Sequence, residues 1–200
     1  MNWEDYKILS EKTLSLNFHC DEKKVELLLH AVMGIMTELE EIIEWVDKED
    51  KIGMSEELSD IFWYCAIISR LYPEVNLTYF NDDNLNTERE NSIKDLNSEQ
   101  ISVFINKTTL NIFKNSAKIL DVLKKKIFYN KAINDVVIVE CGNKIMNDLC
   151  EYSMYAKIDY REGLNRNIAK LKARYGDRFS SEKAINRDLD TERSILEGKN

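Results

Sequence analysis

Four carboxylates in two short runs carry the chemistry this chain can do. Glu38 and Glu41 stand three apart in TELEEIIEWV, and Glu57 and Asp60 stand three apart in SEELSDIFWY. A three-residue step puts both side chains on one face of a helix. Two such pairs on adjacent helices can face each other and hold hard divalent cations such as Mg²⁺, which take oxygen ligands. Steps of three and four through the first pair give Leu27, Ala31, Gly34, Glu38, Glu41 and Trp45; the second pair leads into Tyr64, Ile67 and Leu71. A carboxylate in line with core-facing groups is costly to keep ionised unless it is paired or bound to metal. A solvated acidic face is the ordinary reading of one such pair. Two pairs, each running into an apolar stripe, favour the metal.

The elements that must position these acids read as helices. The spacing predicts a first helix over Trp3–Phe18. A second starts near Glu22, carries Leu28, Val32, Ile35, Leu39, Ile42 and Val46 at helical intervals, and ends in the charged run 47–51 and Gly53. The third covers Met54–Tyr72 and is stopped by Pro73, the only proline. Residues 76–99 are polar and read as a linker. A fourth helix covers Gln100–Ile127, followed by the loop FYNKAIN, a fifth over Asp135–Lys157 and a sixth over Tyr160–Arg174. The polar tail from Gly176 is expected to wrap the surface. Only VVIVE (Val136–Glu140) alternates like a strand, and we read it as buried helix because helical spacing resumes after it. The expectation is one all-α helical bundle over residues 1–200: a first helix pair with the acids (1–75), the linker (76–99), a second pair with a basic helix (100–175), and the tail (176–200).

Composition narrows the function. The net charge of −8 argues against a general nucleic-acid or anionic-membrane binder. No run approaches the roughly 20 apolar residues of a membrane span, and the N-terminus lacks the basic start and apolar stretch of a signal peptide. Cys20, Cys65, Cys141 and Cys150 include no CxxC pair and read as reduced residues of a cytoplasmic protein. With only His19 and His30 to assist them, a zinc site is not favoured.

The second half echoes the first. EEIIEWVDK (Glu40–Lys48) aligns with AKILDVLKK (Ala117–Lys125), and EELSD (Glu56–Asp60) with VECGN (Val139–Asn143), with a longer loop in the second copy. Glu38 then becomes Asn115, Glu41 becomes Lys118 and Asp60 becomes Asn143; only Glu57 keeps its carboxylate, as Glu140. The expectation is an internally duplicated pseudo-dimer of helix pairs in which only the first pair keeps the acids.

With the acids in view, the chain resembles the all-α NTP pyrophosphohydrolases, the superfamily of MazG, the dimeric dUTPases and phosphoribosyl-ATP pyrophosphohydrolase. The resemblance rests on ExxE (Glu38, Glu41) followed by ExxD (Glu57, Asp60), on the approach LLHAVMGIMTE, on LKKKIFYNKAI (Leu123–Ile133), and on NIAKLKARYGDRFSSEKAINRD (Asn167–Asp188). It departs in one respect: the family's loop and C-terminal run normally follow one ExxE/ExxD pair directly, and here they follow a second, acid-poor pair. The resemblance implies cleavage of a nucleoside triphosphate between the α and β phosphates, with Glu38, Glu41, Glu57 and Asp60 holding Mg²⁺, or Mn²⁺ in its place. Glu41 is the expected general base, although the sequence does not separate it from Glu38.

Phosphates also need protein donors. Asn167, Lys170 and Arg174 recur on one helical face, Tyr175 completes the RY pair, and Tyr64 lies four after Asp60; these are the expected substrate contacts. A solvated basic face is the competing reading of the same stripe. Lys124, Lys125, Lys126 and Lys131 form a second basic cluster, mostly solvated. His30 is read as core or base contact, and Trp45 and Trp63 as core or stacking residues. Two other functions stay open: a nucleotide-binding regulatory module without turnover, and a helical interaction protein without ligand. The sequence leaves oligomeric state open, since a pseudo-dimer is complete alone while an exposed first helix is free to pair with a second chain.

Overall fold

The computed structural model describes residues 1–13, 22–77 and 93–199, and the described residues form eight helices and no strand. In chain order they are α1 (Trp3–Glu11), α2 (Lys23–Asp47), α3 (Lys51–Leu71), α4 (Ser98–Tyr129), α5 (Asp135–Ala156), α6 (Tyr160–Tyr175), α7 (Ser181–Ile185) and α8 (Leu189–Leu196). The all-α expectation holds, and VVIVE is the first part of α5. No helix among the described residues is long and apolar enough to cross a membrane.

Two hairpins make the body. Three residues join α2 to α3, so the pair must run antiparallel; α4 and α5 are joined by residues 130–134 and do the same. The hairpins pack on each other through α2 on α4 and α3 on α5. Their shared core is an apolar stripe from each helix: Leu28, Ile35 and Ile42; Leu58, Ile61 and Ile68; Ile112 and Ile119; Ile138, Ile145 and Leu149. Each such side chain contributes about 1.5–3 kcal/mol when taken fully out of water. Val46, at the end of the expected α2 stripe, is exposed.

Several boundaries differ from the sequence expectation, each for a local reason. α1 stops at Glu11, and the expected extension to Phe18 lies largely outside the described residues. α3 starts at Lys51 rather than Met54, because Asp50 caps it by accepting from the Ile52 and Gly53 amides. α4 starts at Ser98, two residues inside the expected linker, because Asn97 and Gln100 form a reciprocal capping box. It also runs on through Phe128 and Tyr129, ending where Asn130 turns left-handed with φ 49°. The 78–92 part of the linker lies outside the described residues. The tail contains two short helices, α7 and α8.

Two elements close over the acid-bearing hairpin. α6 packs along α3, and α1 packs against both. Trp3 stacks on Tyr6 at 5.6 Å and meets the edge of Phe62 on α3, which pins α1 to the hairpin. α8 then lies on α6. Cys65, Cys141 and Cys150 are buried and free of disulfides; Cys20 lies outside the described residues.

Candidate active site

The hairpin brings three of the four acids together. Glu38, Glu41 and Glu57 each offer a carboxylate oxygen within 4.8 Å of the others. Glu57 is buried, Glu38 half-buried and Glu41 exposed. Among the described residues none of the three forms an ion pair; Glu57 accepts the Trp45 indole N–H at 3.0 Å and lies in hydrogen-bonding contact with Glu38. Crowding and burial raise their proton affinity. Burial and then Asp60 and Glu56 push the Glu57 carboxyl up to about 9, against the Trp45 hydrogen bond, which pulls it down. Glu38 is pushed up to about 7 by burial and then by Asp60 and Glu41. Glu41 is raised by burial and by Asp60, with Arg187 opposing. Such a cluster needs protons or a cation to be stable. Three hard oxygen donors with no protein cation among them fit a hard divalent ion.

Asp60 is placed differently. Its Oδ2 accepts from Lys170 Nζ at 2.7 Å, and its Oδ1 accepts a short hydrogen bond from the Asn167 amide. Lys170 is fully buried and also donates to Glu56 at 3.0 Å. Burial alone would pull its pKa down; Asp60 and Glu56 outweigh that and leave it raised. Asn167 is held in turn by the Tyr6 hydroxyl, 3.1 Å from its Oδ1 and 3.1 Å from the Ser59 carbonyl. α6 and α1 therefore grip Asp60 from behind.

The cleft in front of the acids has a volume of about 590 Å³, within the usual range for a small-molecule site. Its aromatic wall depends on two glycines. A Cβ on Gly34 would lie 2.0 Å from Tyr64 Cζ, and one on Gly53 would lie 2.3 Å from Trp45 Cδ2. Both rings thus lie directly on helix backbone, beside the acids. The Tyr64 ring meets His30 edge-on at 5.5 Å and Trp63 at 5.1 Å. Trp63 Nε1 donates to the Ser10 carbonyl and the Thr13 hydroxyl, so it is anchored to the end of α1.

The opposite wall is cationic. Arg174 of α6 and Arg187, just before α8, line the cleft with Tyr175 and Phe179. Both guanidiniums converge on Glu192 of α8, which is buried at 4% exposure. α8 is tied to the acid-bearing hairpin by Arg193, which donates to Asp50 at 2.9 Å.

Of the residues singled out in the sequence, Glu38, Glu41, Glu57, Asp60, Tyr64, Arg174 and Tyr175 all line this cleft, together with His30, Trp45 and Trp63. Asn167 and Lys170 do not line it; they are buried behind Asp60. The lysine cluster is elsewhere. Lys124 and Lys125 pair with Asp121, Lys126 pairs with Glu22, and Lys131 lines a separate cleft on α4 and α5. Asn143, aligned with Asp60, fastens the chain after α3 by accepting from the Asn76 amide and donating to the Glu74 carbonyl. Sequence reasoning quoted Arg187 only within the family-like run Asn167–Asp188 and gave it no role, and it missed Glu192. A second local signal was Asp188 followed by Thr191, the helix-capping pattern that starts α8.

The hairpin thus clusters three carboxylates beside a cationic wall, a donor set of the kind hard divalent ions take. Residues 28–81 match the family model of the MazG nucleotide pyrophosphohydrolase domain. The match spans both acid pairs and supports the resemblance of this segment to the MazG-like all-α NTP pyrophosphohydrolase superfamily. No curated protein and no solved structure gives a significant match.

Proposed function

We propose that the chain is a divalent-metal-dependent nucleoside triphosphate pyrophosphohydrolase that converts a ribo- or deoxyribonucleoside triphosphate to the monophosphate and pyrophosphate. The observation that carries this reading is the trio Glu38, Glu41 and Glu57 within 4.8 Å, without an ion-pair partner among the described residues, in a cleft whose far wall holds two arginines. In this reading the trio holds Mg²⁺ or Mn²⁺, with Asp60 beside it. A bound ion would supply charge neutralisation at phosphate oxygens and a more acidic water.

The side chains divide the remaining work. Glu41, the most exposed of the trio, accepts the proton of the attacking water. Arg174 and the hydroxyls of Tyr64 and Tyr175 bind phosphate oxygens from the open side of the cleft. Trp45 and Trp63 wall off the base. Lys170 and Asn167 act through Asp60: they fix its two oxygens and neutralise it together with Glu56. Phosphoryl chemistry of this kind is mostly positioning and charge stabilisation, so a rigid acid is part of the catalyst.

One feature favours a second reading, a nucleotide-binding module without turnover. Asp60 already has both oxygens engaged by protein donors, which leaves the metal three open carboxylates. Pyrophosphate release from a panel of nucleoside triphosphates with Mg²⁺, beside Glu57→Ala and Asp60→Ala, separates the two. Release by the wild type and loss in both variants supports the enzyme. Nucleotide binding without release supports the module.

A further inference from the structure

Arg187 lies outside the matched segment, and its place in the cleft is unassigned by it. Its side chain is 39% exposed and lines the same wall as Arg174. It lines the same cleft as Glu38, Glu41, Glu57 and Asp60. Glu192 gathers the two arginines. Arg174 donates Nε and Nη2 to its two oxygens at 2.7 and 2.6 Å; Arg187 donates Nε and Nη2 to Oε2 at 3.2 and 2.7 Å. Two cations on one anion leave one net positive charge on this wall. Each guanidinium spends one edge on Glu192, and Nη1 of each takes no part in that contact. A guanidinium held along one edge is fixed in its plane and presents its other donors in a set direction. Phosphate oxygens are the partners such donors suit. Nor is the holder loose: α8 is anchored by Arg193 on Asp50 and by Arg166 Nη1, which donates to the Leu196 carbonyl at 2.6 Å.

We propose that Arg187 is a second phosphate-contacting residue, and that Glu192 is a positioning residue that holds Arg174 and Arg187 as a paired clamp for adjacent phosphates of the substrate. The substrate's identity rests on the pyrophosphohydrolase reading; the clamp itself requires only a polyphosphate. The region beyond Gly176 then belongs to the site, and the buried carboxylate serves to orient cations that would otherwise swing freely.

The test uses the full chain and inorganic tripolyphosphate with Mg²⁺, titrated by calorimetry, beside kcat and KM for the best nucleoside triphosphate. Helicity and Tm are recorded for each variant. Arg187→Ala, on the exposed side of the cluster, is expected to weaken tripolyphosphate binding about tenfold or more and to raise KM more than it lowers kcat. Glu192→Gln keeps the size and removes the charge, and is expected to weaken binding several-fold while helicity is retained. A folded Arg187→Ala that binds like the wild type overturns the clamp, as does a wild type that does not bind. A folded Glu192→Gln that binds like the wild type removes the positioning role; if this variant unfolds, Arg187→Ala decides alone. Tripolyphosphate binding lost in Arg187→Ala, with no nucleotide turned over by the wild type, keeps the clamp and sinks the pyrophosphohydrolase reading. Turnover with KM unchanged in Arg187→Ala does the reverse.

Discussion

Lys170 is the residue whose removal should tell most about how the site is held. Its ammonium is 1% exposed and lies 2.7 Å from Asp60 and 3.0 Å from Glu56. The neutral Lys170→Met keeps the stem volume and deletes the charge. Two neighbouring carboxylates then lose their common cation, while burial still limits their solvation. Removing one partner of a buried ion pair costs about 3–5 kcal/mol. Asp60 and Glu56 keep some contact with water, at 24% and 16% exposure, so the lower end of that range applies, about 3 kcal/mol. For a chain of this length that is a fall in Tm of roughly 6–12 °C. Urea unfolding followed by circular dichroism, in EDTA at pH 7, measures it. A second arm pairs Lys170→Met with Asp60→Asn, and the double variant should recover about 1 kcal/mol or more relative to the sum of the singles. A loss below 1 kcal/mol, or no recovery in the double variant, would refute the claim that Lys170 compensates Asp60.

Three further outcomes follow from the same geometry. Glu38 and Glu57 bind protons more tightly folded than unfolded, so metal-free stability should be greatest near pH 5, fall as pH rises from there, most steeply up to about 7, and level off past about 9. A slope on the order of 1 kcal/mol per pH unit is expected in EDTA, flattening with saturating Mg²⁺ because the ion displaces those protons; a flat EDTA profile contradicts it. Gly34→Ala should destabilise by about 1–3 kcal/mol and alter near-ultraviolet dichroism, since its Cβ would stand 2.0 Å from Tyr64 Cζ and push the ring off the helix. Glu57→Gln should retain or raise metal-free stability, since it removes a crowded carboxylate, while losing the Mg²⁺-induced rise in Tm; an unchanged metal response would take Glu57 out of the ligand set.

The acid trio was legible because a helix fixes what i and i+3 share. Once α2 and α3 are antiparallel neighbours, Glu38, Glu41 and Glu57 have nowhere else to meet. The all-α architecture was legible for the same reason: apolar residues at helical intervals name the buried face before any contact is known. The roles of Asn167 and Lys170 were not. Periodicity puts them on one face with Arg174, but it does not say that this face runs from the cleft back into the core, so the first two are buried and only the third reaches the opening. Trp45 read as a stacking candidate, and nothing in its spacing shows that its N–H holds Glu57. Arg187 stood in the family-like run without a role, and Glu192 was hidden by composition. A short polar run reads as solvated tail unless one knows that a buried carboxylate there meets two guanidiniums brought in from α6 and from the preceding turn.

The grip on Asp60 has a consequence for the order in which the protein is made. The acids are synthesised early, and the groups that neutralise and orient them come much later: Lys170 is separated from Asp60 by 110 residues and from Glu56 by 114. Arg193, which reaches the cap of α3, follows Asp50 by 143. A nascent chain that has completed α2 and α3 holds the acid cluster without the cation that steadies Asp60 and without either arginine of the far wall. The site is finished only when α6 and α8 have left the ribosome and docked. Removing α6 to α8 would therefore yield a chain that keeps its acids and lacks the frame that aims them.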